Sequence, residues 1–403
     1  MPKERIGIMG GSFNPIHERH MELACSALAE YRLNRVLFIP TGNPPHKHDG
    51  LAPAEDRYEM TRLAVSGKPG FGASRVELDR KGVIYTVDTL TRLSRQTPGA
   101  EWFYIIGQDT LLDLPNWHRP DRVFELCEFL VARRSPPSEN EAEAVERLKR
   151  RGAKMSFLSL PPADVSATDI RRELALGVES SALCPQVLSY IRLMGLYGVA
   201  SCLDGARGMY QRLRQNLSER RLLHSLLVMH TAMDLARRHG VPPRQAALAA
   251  LLHDCAKCVP LSAQQRLARE HRLLIDKETL QSENLLHGPV GAVVAERDYG
   301  VTDPLVLSAI RCHTTGKVGM LPLDMIVYLA DKIEPSRRSY PALEVVRSLA
   351  ATDLVAAMRA SLESTVSYVR KQSAAVHPNT LCALEWIRRL DGSAGPQTPK
   401  GED

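Results

Sequence analysis

The chain has 403 residues, of which 44% are hydrophobic, 24% charged and 5% aromatic. That length calls for two or three domains, and the apolar content excludes bulk disorder. The 26 glycines and 26 prolines are scattered, which excludes collagen-like and low-complexity architecture.

The formal net charge of +6 is uneven: residues 1–203 carry 26 basic against 25 acidic side chains, and residues 204–403 carry 26 against 21. No long Lys/Arg block occurs, so the surplus suits an anionic small substrate and gives no nucleic-acid footprint. No run of about 18 apolar residues exists to span a membrane. The N-terminus enters a strand-like segment without a signal pattern. Cys255 and Cys258, in a segment read as helical, do not sit like a redox pair, which opens a helix after a strand. The expectation is a cytoplasmic protein without nucleic-acid or membrane partners; self-association is compatible with it.

In chain order, strand-like runs at 5–9, 36–40, 102–107, 129–133 and 156–160 alternate with helix-like stretches such as 21–31, 55–66 and 87–96. This rhythm predicts an α/β domain with a parallel sheet covered on both faces. Ligands of such sheets sit at the carboxyl ends of the strands. Segments 209–216, 219–239, 243–253, 262–271, 289–299, 304–312, 322–333 and 340–371 read as helices, several with proline near the start. An all-α domain is therefore expected after a join near 197–208, where glycines cluster. The spans are 1–200, a linker at 201–208, 209–390, and a disordered tail at 391–403.

The first strand leads into Gly10-Gly11-Ser12-Phe13-Asn14-Pro15-Ile16-His17-Glu18-Arg19-His20. Two glycines allow close backbone approach, and a following helix N-terminus offers free N–H groups to phosphate. His17 and His20, three apart, share a face of the first helical turn and can clamp a polyphosphate. Val165-Ser166-Ala167-Thr168-Asp169-Ile170-Arg171 adds hydroxyls at a second helix start and a guanidinium suited to phosphate. Further polar clusters are Asn43-Pro44-Pro45-His46-Lys47, the helix opening Tyr85-Thr86-Val87-Asp88-Thr89, Gly107-Gln108-Asp109, Leu114-Pro115-Asn116-Trp117-His118-Arg119, and Arg133 at a strand end.

Over about residues 4–198 these motifs resemble, in order and spacing, the bacterial nicotinate-nucleotide adenylyltransferases of the HxGH nucleotidyltransferase superfamily. Asn14 stands where that family usually has Asp, and Arg19 where it has a small Gly. The resemblance implies a Rossmann-like fold and adenylyl transfer from ATP, with Mg2+, to nicotinate mononucleotide. It implies an ATP site of Gly10, Gly11, Ser12, Phe13, His17, His20, Gly107, Asp109, Ser166, Thr168 and Arg171, with His17, His20 and Arg171 catalytic. It places Asn43, His46, Lys47, Tyr85, Thr86, Trp117 and Arg133 around the mononucleotide. Residue chemistry agrees: Trp117 can stack on a pyridine ring, Thr86 can meet a carboxylate at a helix start, and Lys47 can oppose phosphate. Capping the helix after the strand is the ordinary alternative for Asp109.

In the helical half, His224, His253, Asp254, His287, His313 and Asp331 recur on separate helices, mostly within apolar stretches where an unpaired polar side chain is costly. Four His and two Asp without Cys suit divalent or ferric ions and argue against structural zinc. A two-metal site bridged by Asp254 is a natural solution. The contexts His253-Asp254-Cys255-Ala256-Lys257, His287-Gly288-Pro289-Val290, His313-Thr314-Thr315-Gly316 and Asp331-Lys332-Ile333-Glu334-Pro335 resemble HD-domain phosphohydrolases, within them the symmetrical diadenosine tetraphosphatases, over about residues 209–372. By that resemblance His224, His253, Asp254 and Asp331 bind one metal, commonly iron, and Asp254, His287 and His313 the other, with Asp254 catalytic. Lys257 and Arg337 could hold phosphate of a dinucleoside polyphosphate; surface roles are their ordinary alternative. The HD half could instead hydrolyse another phosphate ester or sense nucleotides without turnover, and the first half could adenylate a related mononucleotide.

Overall fold

The computed structural model describes residues 3–42, 50–80, 82–133, 139–161 and 165–390, without the side chains of 139 and 140. Asn43, His46, Lys47 and the tail 391–403 lie outside the described residues. The chain divides into two compact units, Met1–Ile191 with Gly195–Val199, and Arg192–Met194 with Ala200–Asp403.

The first unit is an α/β fold. Its strands are β1 (Arg5–Gly11), β2 (Arg35–Pro40), β3 (Phe71–Ala73), β4 (Glu101–Gly107), β5 (Glu128–Ala132) and β6 (Lys154–Phe157). Its helices are α1 (Glu18–Glu30), α2 (Ala54–Val65), α3 (Thr86–Gln96), α4 (Gln108–Asp113), α5 (Pro120–Leu126), α6 (Glu139–Arg150), α7 (Ala167–Ala175) and most of α8 (Pro185–Met194). All six strands pair in parallel in the order β3-β2-β1-β4-β5-β6. The order reverses between β1 and β4, so a crevice opens at their carboxyl ends. Ile6, Ile8, Leu90, Leu111, Phe129 and Val131 fill the core against the sheet. Gly10 keeps the strand ends close, because a Cβ there would overlap the Tyr104 hydroxyl.

Three details differ from the expected elements. Strand β3, Phe-Gly-Ala, is too short for alternation to show. Strand β6 ends at Phe157, three residues before the expected 160. Helix α1 begins at Glu18, with His17 as its N-cap, instead of near 21.

The second unit is all-helical: α9 (Ala206–Asn216), α10 (Glu219–Arg238), α11 (Pro243–Leu252), α12 (Leu261–Glu270), α13 (Lys277–Leu280), α14 (Glu283–Tyr299), α15 (Pro304–Cys312), α16 (Pro322–Ile333), α17 (Pro341–Ala350), α18 (Leu354–Lys371) and α19 (Pro378–Leu390). Helices α11 and α16 pack on α10, and α15 packs on α14. The expected single helix 340–371 is two, because Asp353 caps a new N-terminus by accepting from Val355 N and Ala356 N at 2.9 and 3.0 Å. Helix α14 starts six residues before Pro289, which stands inside it.

Cys255 and Cys258 lie in the turn after α11, not in a helix. That turn runs on short i to i+3 bonds such as Cys255 N to Leu252 O. Cys255 is buried and Cys258 exposed, and all eight cysteines are free. No described helix is long and apolar enough to cross a membrane.

Candidate active sites

At the crevice of the first unit, a cleft of about 410 Å³ is lined by Gly10, Gly11, Ser12, Phe13, His17, His20, Gly107, Asp109, Trp117, Arg133 and Ser166. Residues from three strand ends and three helix starts, more than 150 positions apart in sequence, thus face one space. The loop after β1 turns on Phe13, whose φ of 45° is left-handed and whose ring is buried edge-on to His20, 5.1 Å between centroids. The His17 N–H donates to His20 Nδ1 at 3.2 Å, and the two imidazoles lie 3.8 Å apart by centroid. His20 is therefore held on its Nδ1 side while it lines the cleft.

The second motif is tied to the first. The Arg171 guanidinium donates to the Asn14 carbonyl at 2.8 Å and to Thr168 Oγ1 at 3.2 Å, while Ser166 caps α7 by accepting from Thr168 N. Thr168, Arg171, Tyr85 and Thr86 do not line the cleft itself. Thr86 bonds the Tyr104 phenol, whose pKa is pushed up by burial. Tyr85 stacks on His118 at 4.2 Å, and Trp117 meets Tyr104 and Phe129 edge-on. Gly107 caps α4 and puts Asp109 in its first turn, a placement that serves either a ligand or the helix.

Two supporting residues, Arg57 and Glu141, were not foreseen. Arg57 is fully buried and donates to four backbone carbonyls: Ser12 (2.7 Å), Thr41 (2.7 Å), Ala52 (3.0 Å) and Gly42 (3.1 Å). Burial pushes its pKa down, and the carbonyls take the place of a carboxylate. Glu141, also fully buried, accepts from Arg133 Nε at 2.9 Å, and Arg133 lies flat 3.7 Å over Phe157. Asn14 uses its carboxamide structurally, accepting from Ala52 N and the Tyr197 hydroxyl. Arg19, the bulky residue between the histidines, is 8% exposed and bonds the Pro161 carbonyl at 2.7 Å and Glu22 at 3.0 Å. It serves as a tie between α1 and the chain leading to Ser166.

In the second unit the six predicted metal ligands converge. Asp254 is the centre. Its Oδ1 lies 3.1 Å from His287 Nε2 and 3.8 Å from His313 Nε2; its Oδ2 lies 3.9 Å from His224 Nε2 and 3.7 Å from His253 Nε2. Asp331 closes the second group, 3.0 Å from His224 Nε2 and 3.9 Å from His253 Nε2. One carboxylate thus faces two ligand groups, His224–His253–Asp254 and Asp254–His287–His313, all buried.

The outer ring nitrogens explain the orientation. His253 Nδ1 and His313 Nδ1 each meet a carbonyl three residues back, Ala250 and Ile310, at 2.7 Å, so Nδ1 carries the proton and Nε2 turns its lone pair inward. His253 Nε2 is buried with no hydrogen-bond partner, an orphaned polar atom that a cation would satisfy. Burial, helped by His253 and His287, pushes the His313 pKa down to about 3, so it stays neutral and able to ligate. Burial opposes the charge on Asp254, but the surrounding imidazoles hold it well below the usual carboxylate range. The donor set fits two divalent or ferric ions.

Cations rim this centre. Arg337 donates to Asp331 Oδ1 at 2.7 Å, and Lys257 donates to Asn284 Oδ1 at 3.2 Å beside His287. Arg221, not singled out from sequence, donates to Asp254 Oδ2 at 2.9 Å. Its position three residues before His224 puts it on the same helix face, a spacing that could have exposed it. Glu334, 1% exposed and also missed, lies 3.3 Å from His224 Nδ1 and accepts from Ser336. It orients that imidazole as a carboxylate does behind a metal-bound histidine.

The cytidylyltransferase-like family model matches residues 8–173, and the HD-domain model matches residues 221–336. A probable nicotinate-nucleotide adenylyltransferase of Gloeobacter violaceus is 41% identical over 200 residues, 49% of this chain and 97% of the relative. A Mycoplasma genitalium protein named probable nicotinate-nucleotide adenylyltransferase/Ap4A hydrolase is 28% identical over 337 residues, 83% of this chain and 89% of the relative. A crystal structure from Clostridium acetobutylicum, described as a predicted HD superfamily hydrolase involved in NAD metabolism, is 34% identical, covering 46% of this chain and 97% of that one with a TM-score of 0.44.

Proposed function

We infer the function from one premise: the chain belongs to the nicotinate-nucleotide adenylyltransferase family and continues into an HD domain. It is read as two enzymes in one chain, an adenylyltransferase over residues 1–200 and a metal-dependent phosphohydrolase over 209–390. The observation that carries the first is the convergence of the His17/His20 pair, Asp109, Trp117 and Ser166 on one cleft at the strand-order reversal.

In the first half, a phosphate oxygen of nicotinate mononucleotide attacks the α-phosphorus of ATP. The new P–O bond forms as the bond to the bridging oxygen of the β-phosphate breaks, and pyrophosphate leaves. The nucleophile is already an anion, so the protein needs no base. His17 and His20 oppose charge on the phosphates, Arg171 holds the loop that presents them through the Asn14 carbonyl, and Trp117 and Arg133 line the wall for the ring and sugar phosphate.

In the second half, the reading is hydrolysis of diadenosine tetraphosphate between its two central phosphorus atoms, giving two ADP. Bound metal ions, iron by resemblance, supply Lewis acidity that activates water and binds phosphoryl oxygens. The chain's own residues do the rest. Asp254 divides its two oxygens between the ligand groups, and Glu334 and the backbone carbonyls fix the imidazole rings. Arg221, Lys257 and Arg337 oppose the four phosphates.

The test is a nucleotide panel on the purified chain with metal content measured alongside. His17→Ala should lose adenylation of nicotinate mononucleotide and keep hydrolysis of diadenosine tetraphosphate. Asp254→Asn should do the reverse and lose bound metal. Full adenylation by His17→Ala sinks the histidine role, and a metal-loaded chain with no turnover makes the second half a sensor.

A further inference from the structure

Outside both sites, a cavity of about 420 Å³ lies in the second unit between α16, α17 and α18. Lys332 enters it from α16, Tyr340 stands just before α17, and Ser361, Ser364, Thr365 and Tyr368 come from α18. Among the described residues no carboxylate lines it, and the one cationic group is Lys332. Leu343 and Val346 supply an apolar wall.

Lys332 is half-buried, and its charge faces the Tyr328 ring and the Asp331 carboxylate, with no hydrogen bond to a described residue. The usual duty of a lysine in a last helical turn is to meet the terminal carbonyls. Here those carbonyls are taken: Arg337 Nε donates to Asp331 O at 3.0 Å, and Arg347 donates to Ile333 O and Glu334 O, both at 3.1 Å. One turn back on the same face, Tyr328 is fully buried, and its hydroxyl also has no partner. The Lys332 Nζ lies 5.6 Å from the Tyr328 ring centroid. Lys332 thus meets the Tyr328 ring and the Asp331 charge but no hydrogen-bond acceptor, and an ammonium without an acceptor on the wall of a cavity suits an anionic ligand.

We propose that this cavity is a nucleoside-phosphate site, with phosphate on the Lys332 ammonium and the base against Tyr340 and Tyr368. The volume far exceeds what a bare phosphate needs and lies in the range of small-molecule pockets. Tyr340 and Tyr368, 52% and 66% exposed, offer ring faces at the rim, and the three hydroxyls of α18 are placed for ribose or phosphate oxygens. Lys332 follows the metal-facing Asp331 directly, so an occupant would sit behind the HD centre and be positioned to regulate it.

The test is lysine acylation of the full chain with an N-hydroxysuccinimide ester, read at Lys332 by peptide mass spectrometry, with ADP, adenosine or inorganic phosphate present. ADP should slow labelling of Lys332 at least fivefold, and neither adenosine nor phosphate alone should match it. Protection should persist in Asp254→Asn and disappear in the Tyr340→Ala/Tyr368→Ala chain, whose changes are at exposed rings. No protection overturns the proposal. So does protection that Asp254→Asn abolishes, which would place the ligand at the metal centre, and so does equal protection by phosphate, which would leave a bare anion site. Because Asp254→Asn is the hydrolysis-deficient chain, failure here is distinguishable from failure of the hydrolase reading.

Discussion

Arg57→Met tests how the nucleotide loop is held. The arginine is fully buried and supplies four bonds of 2.7–3.1 Å to the carbonyls of Ser12, Thr41, Gly42 and Ala52. Charged hydrogen bonds contribute roughly 1.5–3 kcal/mol each, so the gross sum is roughly 6–12 kcal/mol. Burying the guanidinium costs several of these back, and removing one partner from such a buried network leaves a net loss of about 3–5 kcal/mol. Methionine keeps the volume but none of the donors, so four carbonyls lose their partner at once. In a Trp386→Phe background, Trp102 and Trp117 report the first unit alone, and urea unfolding followed by their fluorescence gives the loss. Because Ser12 O belongs to the loop between Gly11 and Phe13, KM for ATP should rise as well, with hydrolysis in the second unit unchanged. A loss under about 1 kcal/mol with an unaltered KM would refute the reasoning.

Glu141→Gln should raise the KM of one nucleotide substrate by about tenfold, since Arg133 loses its buried counter-charge; steady-state kinetics in which both KM values stay put would contradict this. Arg19→Gly should cost the first unit about 2 kcal/mol, combining a charged bond to Pro161 O with a glycine in a helix start, measured in the same urea assay. After metal removal, the second unit should lose stability as pH falls from 6.5 toward 3. His313 is neutral when folded, with a pKa of about 3, and takes a proton near 6.5 when unfolded, so the unfolded chain binds more protons across that window. Buried His253 acts in the same sense. His224, raised by Asp331 and Glu334 against the opposing effect of burial, acts oppositely and loses its contribution as pH rises. Far-ultraviolet dichroism of the chelated chain should therefore show a melting point that falls on acidification; a constant one contradicts the buried neutral imidazoles.

The sheet and the helical half were legible because their patterns are local. Apolar runs ending in Gly, Pro or Arg mark β1, β2, β4 and β5, and prolines mark the starts of α11, α15 and α16. The six metal-type residues were legible as a set because imidazoles and carboxylates within apolar stretches lack another explanation. What stayed hidden depends on long-range partners. Arg57 looks like an exposed arginine on an acidic helix until Ser12, 45 residues earlier, is seen to receive it. Glu334 meets His224 across 110 residues, and Glu141 has no motif at all. The break at Asp353 was hidden because α17 and α18 carry one continuous helical pattern, and only the capping geometry shows the interruption.

The bond from the Tyr197 hydroxyl to Asn14 Oδ1 spans 183 residues at 2.9 Å. It joins the loop after β1 to nearly the last residue of its own unit. Until Tyr197 has left the exit tunnel, the carboxamide of Asn14 lacks one of its donors, and the nucleotide loop is held by Arg57 and Arg171 without it. The first unit should therefore mature late in its own synthesis, in step with emergence of the second. Any fragment meant to carry adenylyl transfer alone must run past residue 197, three residues beyond the last helix of the first unit.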